Sequence, residues 1–199
     1  MLKPFVLASR SASRIALLSE AGLPFEAEAS DVDERAVEAP LLAAGADPGA
    51  IALRLACAKA LDVAARRPGA LVLGCDQTLG LDGERFVKPA DRAAARAQLS
   101  RLRGRTHELH SAMALAEGNH VFWRTVSVAR MTMRAFSEPF LDDYCARAGD
   151  AVLSSVGCYQ LEGLGVTLFE AIEGDYFTIL GLPLLPLLAE LRRIGQIPT

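Results

Sequence analysis

The chain has 199 residues, a formal net charge of −3, 51% hydrophobic and 23% charged residues. This composition excludes a disordered chain, and the length suits one domain or two small lobes sharing a core. The charge excludes bulk attraction to nucleic acid or an anionic membrane, and no apolar run approaches the roughly 18 residues of a membrane span.

Phe5 to Ala8 reads as a first strand. The short apolar run before Ser9 has neither the length nor the cleavage pattern of a secretory signal. The strand feeds Ser9-Arg10-Ser11-Ala12-Ser13-Arg14, and a periodic helix follows from Ile15 to Ala21, stopped by Gly22. A helix start offers free N–H groups and a partial positive charge. Serine hydroxyls and an arginine fork add donors suited to phosphate oxygens. The same serines would serve as plain helix caps. No GxxxxGK[ST] occurs, which argues against a P-loop nucleotide site.

Phe25 to Ala29 reads as a short second strand, followed by Asp31, Asp33 and Glu34. Carboxylates there suit Mg²⁺, which takes one or two of them plus substrate phosphates, or they form an acidic turn in water. Residues 36–50 read as a loop or a broken helix. Residues 48–66 have strong helix composition and carry Lys59.

The run Ala70 to Cys75 reads as a buried strand with Asp76 at its C-terminal end. Ligand sites in α/β sheets lie beyond such ends. The turn Leu81-Asp82-Gly83-Glu84 is of hairpin type and would return Lys88 toward Asp76. A carboxylate and a cation so placed can handle water, metal and phosphate together. Equally, Asp76 would cap a turn and Lys88 would be a solvated edge lysine.

A helix over 91–102 follows, with Asp91 as N-cap and Gly104 after it. Residues 105–116 and 121–133 read as a long hairpin turning at Gly118-Asn119. His107 and His110 would point to opposite faces of their strand and would not share a metal, with His107 near the site. Ser137-Glu138-Pro139 opens a helix to about Arg147, and Leu182-Pro183 opens a last helix ending in Arg192 and Arg193. Its leucine face is core or a dimer surface. Gly163-Leu164-Gly165 lacks the third glycine of a dinucleotide fingerprint. Cys57, Cys75, Cys145 and Cys158 are scattered without CxxC pairing, as for buried thiols in a reducing cytoplasm.

Taken in order, LASRSASR, DVDE, LGCDQTLGLDGERFVKP, GRTHELH, VGCYQLEGLG and GDYFTILGLPL resemble the Maf family of nucleoside triphosphate pyrophosphatases, once described as septum-formation inhibitors. The resemblance covers nearly the whole chain. It implies one Maf-like domain over 1–199, an α/β fold with a long twisted mixed sheet, flanking helices and two lobes around a cleft. It also implies divalent-metal-dependent (Mg²⁺ or Mn²⁺) hydrolysis of a nucleoside triphosphate to monophosphate and pyrophosphate. Homodimers occur in the family.

The resemblance makes Asp76 the proton acceptor. It places Ser9, Ser11, Ser13, Arg14, Lys59, Gln77, Lys88 and Glu162 on the substrate, and Glu34 with Asp76 on the metal. Gln77 and Glu162 resemble the 7-methyl-GTP branch. The chain departs from the family in Ala12-Ser13, where a proline and a larger residue are usual, and in Ser154-Ser155-Val156, which lacks the usual lysine. A non-catalytic division regulator and a different phosphohydrolase, for example one acting on sugar nucleotides, are the rival expectations.

Overall fold

The computed structural model describes residues 2–199. Its strands are β1 (Phe5–Ala8), β2 (Glu26–Ala27), β3 (Leu71–Leu81), β4 (Glu84–Phe86), β5 (Thr106–Glu117), β6 (His120–Met133) and β7 (Phe169–Glu173). Among the described residues these seven strands form one mixed sheet in the order β2-β1-β3-β5-β6-β7, with β4 added to β3. The helices are α1 (Ala12–Glu20), α2 (Glu34–Ala43), α3 (Pro48–Arg66), α4 (Arg92–Leu102), α5 (Glu138–Ala148), α6 (Tyr176–Ile179) and α7 (Leu184–Arg193).

β1 pairs in parallel with both β2 and β3, so the chain crosses over helices between them. From β3 onward the pairing is antiparallel, and β3 with β5 forms the spine from Val72↔Ala116 to Gly80↔Glu108. The hairpin from β3 to β4 turns at Asp82 (φ 50°) and Gly83 (φ 81°), the positive pair a tight two-residue turn needs. The sheet is mixed and flanked by helices, as the sequence predicts.

Helix α3 lies against one face of the sheet. It does so through small residues, including Ala52, Ala56 and Ala60, packed on Val6, Val72 and Ala114. The approach is close: a Cβ on Gly74 would lie 2.1 Å from the Ala56 carbonyl oxygen. The opposite face carries α1 and α7, with Leu17, Leu18, Leu187 and Leu191 packed on Leu7, Leu73 and Met113. A further core at the far end of the sheet packs Leu99, Leu102, Leu141 and Tyr144 against Leu79, Leu109 and Met131. The leucines at 184, 187 and 191 are therefore core.

Three expectations need correction. Asp76 sits in the middle of β3, not at its end, because the strand continues for five residues beyond it against β5. The polar run Asp76-Gln77-Thr78 made the strand look finished. Helix α1 begins at Ala12 with Ser11 as its N-cap, so Ser13 and Arg14 lie in its first turn. Residues 36–50 resolve into most of α2, with Pro40 inside it, and the start of α3. Strand β7 and helix α6 were not predicted as elements.

Candidate active site

A cleft of about 990 Å³ opens between the two ends of the sheet. Its position follows from the strand register. β1 stops at Ala8 opposite Gly74, and β4 joins β3 only at Leu79, so Cys75 to Thr78 have no strand neighbour on that edge. Asp76 and Gln77 lie in this gap. It is the carboxyl end of the parallel part of the sheet, where ligand sites form.

All ten residues singled out from the sequence line this one cleft: Ser9, Ser11, Ser13, Arg14, Glu34, Lys59, Asp76, Gln77, Lys88 and Glu162. At its foot Lys59 Nζ lies 2.6 Å from Asp76 Oδ1 and 2.7 Å from Glu34 Oε1. Asp76 is 7% exposed and Lys59 9%, so this pairing is shielded from water. Burial raises the Asp76 carboxyl above its ordinary range, while Lys59 and Arg14 pull it back. Burial opposes the Lys59 ammonium, but Asp76 and Glu34 outweigh it and hold the group above its free value. The two directions combine simply. The shared proton stays on Lys59, and Asp76 is a carboxylate whose appetite for a proton is enhanced by burial.

Glu34 reaches Lys59 because it opens α2, after Asp33 caps that helix by accepting from the Ala36 N–H at 3.1 Å. Of the three acidic residues after β2, then, Asp33 is a cap, Glu34 reaches Lys59, and Asp31 lines the cleft while pairing with Arg66 at 3.2 Å. Among the described residues no cluster of three or more His, Cys, Asp or Glu side chains stands ready to hold a metal alone. The donor set fits a magnesium-type ion that takes one or two carboxylates and completes its shell from substrate phosphates.

Arg14 was expected to be free for phosphate. Most of its fork is engaged instead: Nε donates to the Gly181 carbonyl at 2.9 Å and Nη1 to the Cys75 carbonyl at 3.1 Å. It ties the first loop to β3 and to the turn before α7, and lends positive charge to Asp76 from there. Gln77 points to the other side of β3. Its Nε2 donates to Ser111 Oγ, Thr178 O and Ile179 O at 2.8, 3.1 and 3.0 Å. Two of these partners are carbonyls, so the amide orientation is fixed and only Oε1 remains for a ligand.

Glu162 is carried by the loop over 154–163, which the far end of the sheet holds in place. Ser155 Oγ donates to the Tyr159 carbonyl at 2.7 Å and accepts from its N–H at 3.1 Å. Tyr159 OH pairs with His107 Nε2 at 2.7 Å. His107, expected near the site, is fully buried behind Tyr159 and does not line the cleft. Its burial lowers its pKa to about 4, so the ring is neutral. His107 and His110 do not come together, because they face opposite sides of β5.

Arg35, Glu38, Arg85 and Tyr159 also line the cleft and were not singled out. The spacing of Glu34 and Glu38 on one helix was the available signal. Arg85, the partner of Glu38, lies 47 residues away and carried none.

The Maf family, described as "Maf-like protein", matches residues 4–194. The chain belongs to the Maf family. The 7-methyl-GTP pyrophosphatase of Brucella abortus biovar 1 (strain 9-941) is 57% identical over 97% of this chain and 97% of that one. The 7-methyl-GTP pyrophosphatase of Mesorhizobium japonicum is 57% identical over 99% of each chain. The nucleoside triphosphate pyrophosphatase of Nitrobacter winogradskyi is 55% identical over 96% of this Maf chain and 93% of its own length.

Proposed function

We propose that this Maf protein is a hydrolase that cleaves a nucleoside triphosphate between the α- and β-phosphates, giving the monophosphate and pyrophosphate. The observation that carries this is the buried Asp76–Lys59 pair, joined by the exposed Glu34 carboxylate, at the foot of a cleft rimmed by further cations. The names of the relatives support the same reaction class.

Asp76 is the general base. A carboxylate raised by burial accepts a proton from water more readily, and the Oδ1 contact to Lys59 fixes its orientation. Lys59 and Lys88 neutralise the phosphates, while Ser9 and Ser11 offer hydroxyls from the first loop. Arg14 holds the loop so that these donors are in place before substrate arrives. Glu34 and Asp76 would hold a Mg²⁺ or Mn²⁺ ion together with substrate oxygens. Such an ion supplies charge neutralisation and Lewis acidity at the phosphates.

Gln77 Oε1 and the Glu162 carboxylate both accept hydrogen bonds, which favours a base presenting N–H donors and, for 7-methylguanine, a positive charge. Ser13 offers no aromatic face for stacking there. The four unpaired cysteines suit a reducing cytoplasm.

The test is product analysis with Mg²⁺ and a panel of 7-methyl-GTP, GTP, UTP, CTP and dTTP. Monophosphate plus pyrophosphate in equal amounts is the expected result. Orthophosphate would indicate a different phosphohydrolase. A folded protein silent across the panel would favour a non-catalytic regulator.

A further inference from the structure

Glu38 and Arg85 form a second ion pair in the cleft, unused by the chemistry above. Its position can be read from the sheet. A Cβ on Gly74 would touch Ala60, Thr78 Oγ1 donates to the Pro48 carbonyl at 2.8 Å, and a Cβ on Gly80 would lie 3.0 Å from Pro48 Cγ. Positions 74, 76, 78 and 80 of β3 therefore all face α3. Arg85 on β4 is paired with Gly80 and so stands on the same face as Asp76. Across the cleft, Glu34 and Glu38 are neighbours one turn apart on α2, about 5–6 Å between Cβ atoms. Glu34 to Lys59 of α3 and Glu38 to Arg85 of β4 are thus successive rungs from α2, one turn apart, on the side of β3 that carries Asp76.

The upper rung has spare donors. Arg85 holds Glu38 through Nη2 alone, and its Nε is buried without an acceptor among the described residues. A buried donor left unpaired is costly, and an anion arriving beside it would relieve that cost. A guanidinium with free N–H groups one rung from the reaction centre matches the reach of the phosphates beyond the α-phosphate. Lys88 lies a short way on along the same segment and lines the same cleft.

We propose that Arg85, oriented by Glu38, is a binding residue for the terminal phosphates of the substrate and for the pyrophosphate that leaves. This rests on the triphosphate reading for its role in turnover, though binding of pyrophosphate itself is testable without turnover. Bidentate capacity matters here, so lysine is an incomplete substitute.

Titration calorimetry with inorganic pyrophosphate and Mg²⁺ should show binding to the wild-type protein. Arg85→Met should weaken it about tenfold and raise KM for every triphosphate by a similar factor, leaving selectivity among bases and the affinity for nucleoside monophosphate unchanged. Arg85→Lys should recover part of the loss. Glu38→Gln should retain pyrophosphate binding or tighten it, because the guanidinium is released from its carboxylate. Unchanged pyrophosphate affinity in a folded Arg85→Met protein would overturn the proposal. So would a loss confined to one base, or a Glu38→Gln loss as large as that of Arg85→Met, which would make the pair a strap on α2. If wild type binds pyrophosphate through Arg85 yet hydrolyses no triphosphate, the proposed reaction fails while the subsite stands.

Discussion

Lys59 Nζ bridges Asp76 and Glu34, with 2.6 Å to one carboxylate and 2.7 Å to the other, and so joins α3, β3 and α2 at one point. A single ammonium thereby sets the geometry of the base and of the carboxylate that would share a metal with it.

Replacing Asp76 by Asn should abolish turnover, by a factor on the order of 10² to 10⁴ or more, because the amide accepts no proton. The fold should survive. Burial disfavours the ionised Asp76, and Lys59 keeps Glu34 as a partner. Steady-state rates beside a thermal melt check both halves. Near-normal activity would remove Asp76 from the mechanism.

The acid limb of kcat/KM should lie above the ordinary Asp pKa of about 3.9, because burial raises the carboxyl. Lys59 lowers that pKa and Glu34 raises it. Residual activity of Lys59→Met should therefore fall off at higher pH than wild type, and that of Glu34→Gln at lower pH. The stability sign follows the same rule: what protonated Asp76 contributes is complete below its unfolded pKa and is lost as pH rises through the folded one. A pH–rate series on the three proteins decides it, and coincident acid limbs would exclude Asp76 as the titrating group.

His107 gives the opposite sign. Its pKa falls from 6.5 to about 4 on burial. The neutral ring's contribution is complete above pH 6.5 and is lost as pH drops toward the folded value, on the order of 3 kcal/mol in all. Denaturant melts of His107→Phe between pH 7 and 4 should show a flatter profile than wild type. Equal slopes would mean that other groups govern the acid loss.

Gly74→Ala should be severely destabilising, by roughly 3 kcal/mol or more, since overpacking of a closed core is costly. The added methyl would meet backbone of α3 at 2.1 Å and could fit only by pushing Lys59's helix off the sheet. A fall in the denaturation midpoint together with lost activity is expected. A stable, inactive protein would show that α3 moved without a packing cost.

Much of this was legible in the sequence because the signals were local. The helix over 48–66, the cap Asp91 and the helix start at Ser137-Glu138-Pro139 were read from composition, capping and proline, and the structure has them there. The family resemblance identified which residues to gather, and the fold brings them to one cleft. Tertiary pairing was not legible. The continuation of β3 past Asp76 depends on β5, from Gln77↔Ser111 to Gly80↔Glu108, far along the chain. The engagement of Arg14 depends on Gly181, and the burial of His107 behind Tyr159 depends on a loop more than fifty residues away. Glu38 was one letter in a segment that resembled a loop. Only its meeting with Arg85 gives it a place in the site.

The most direct test of the central claim is to run the reaction in ¹⁸O-labelled water and locate the label by mass spectrometry. Attack of an Asp76-activated water on the α-phosphorus predicts one ¹⁸O in the nucleoside monophosphate and none in pyrophosphate. Label in the pyrophosphate, or labelled orthophosphate as the product, would contradict it.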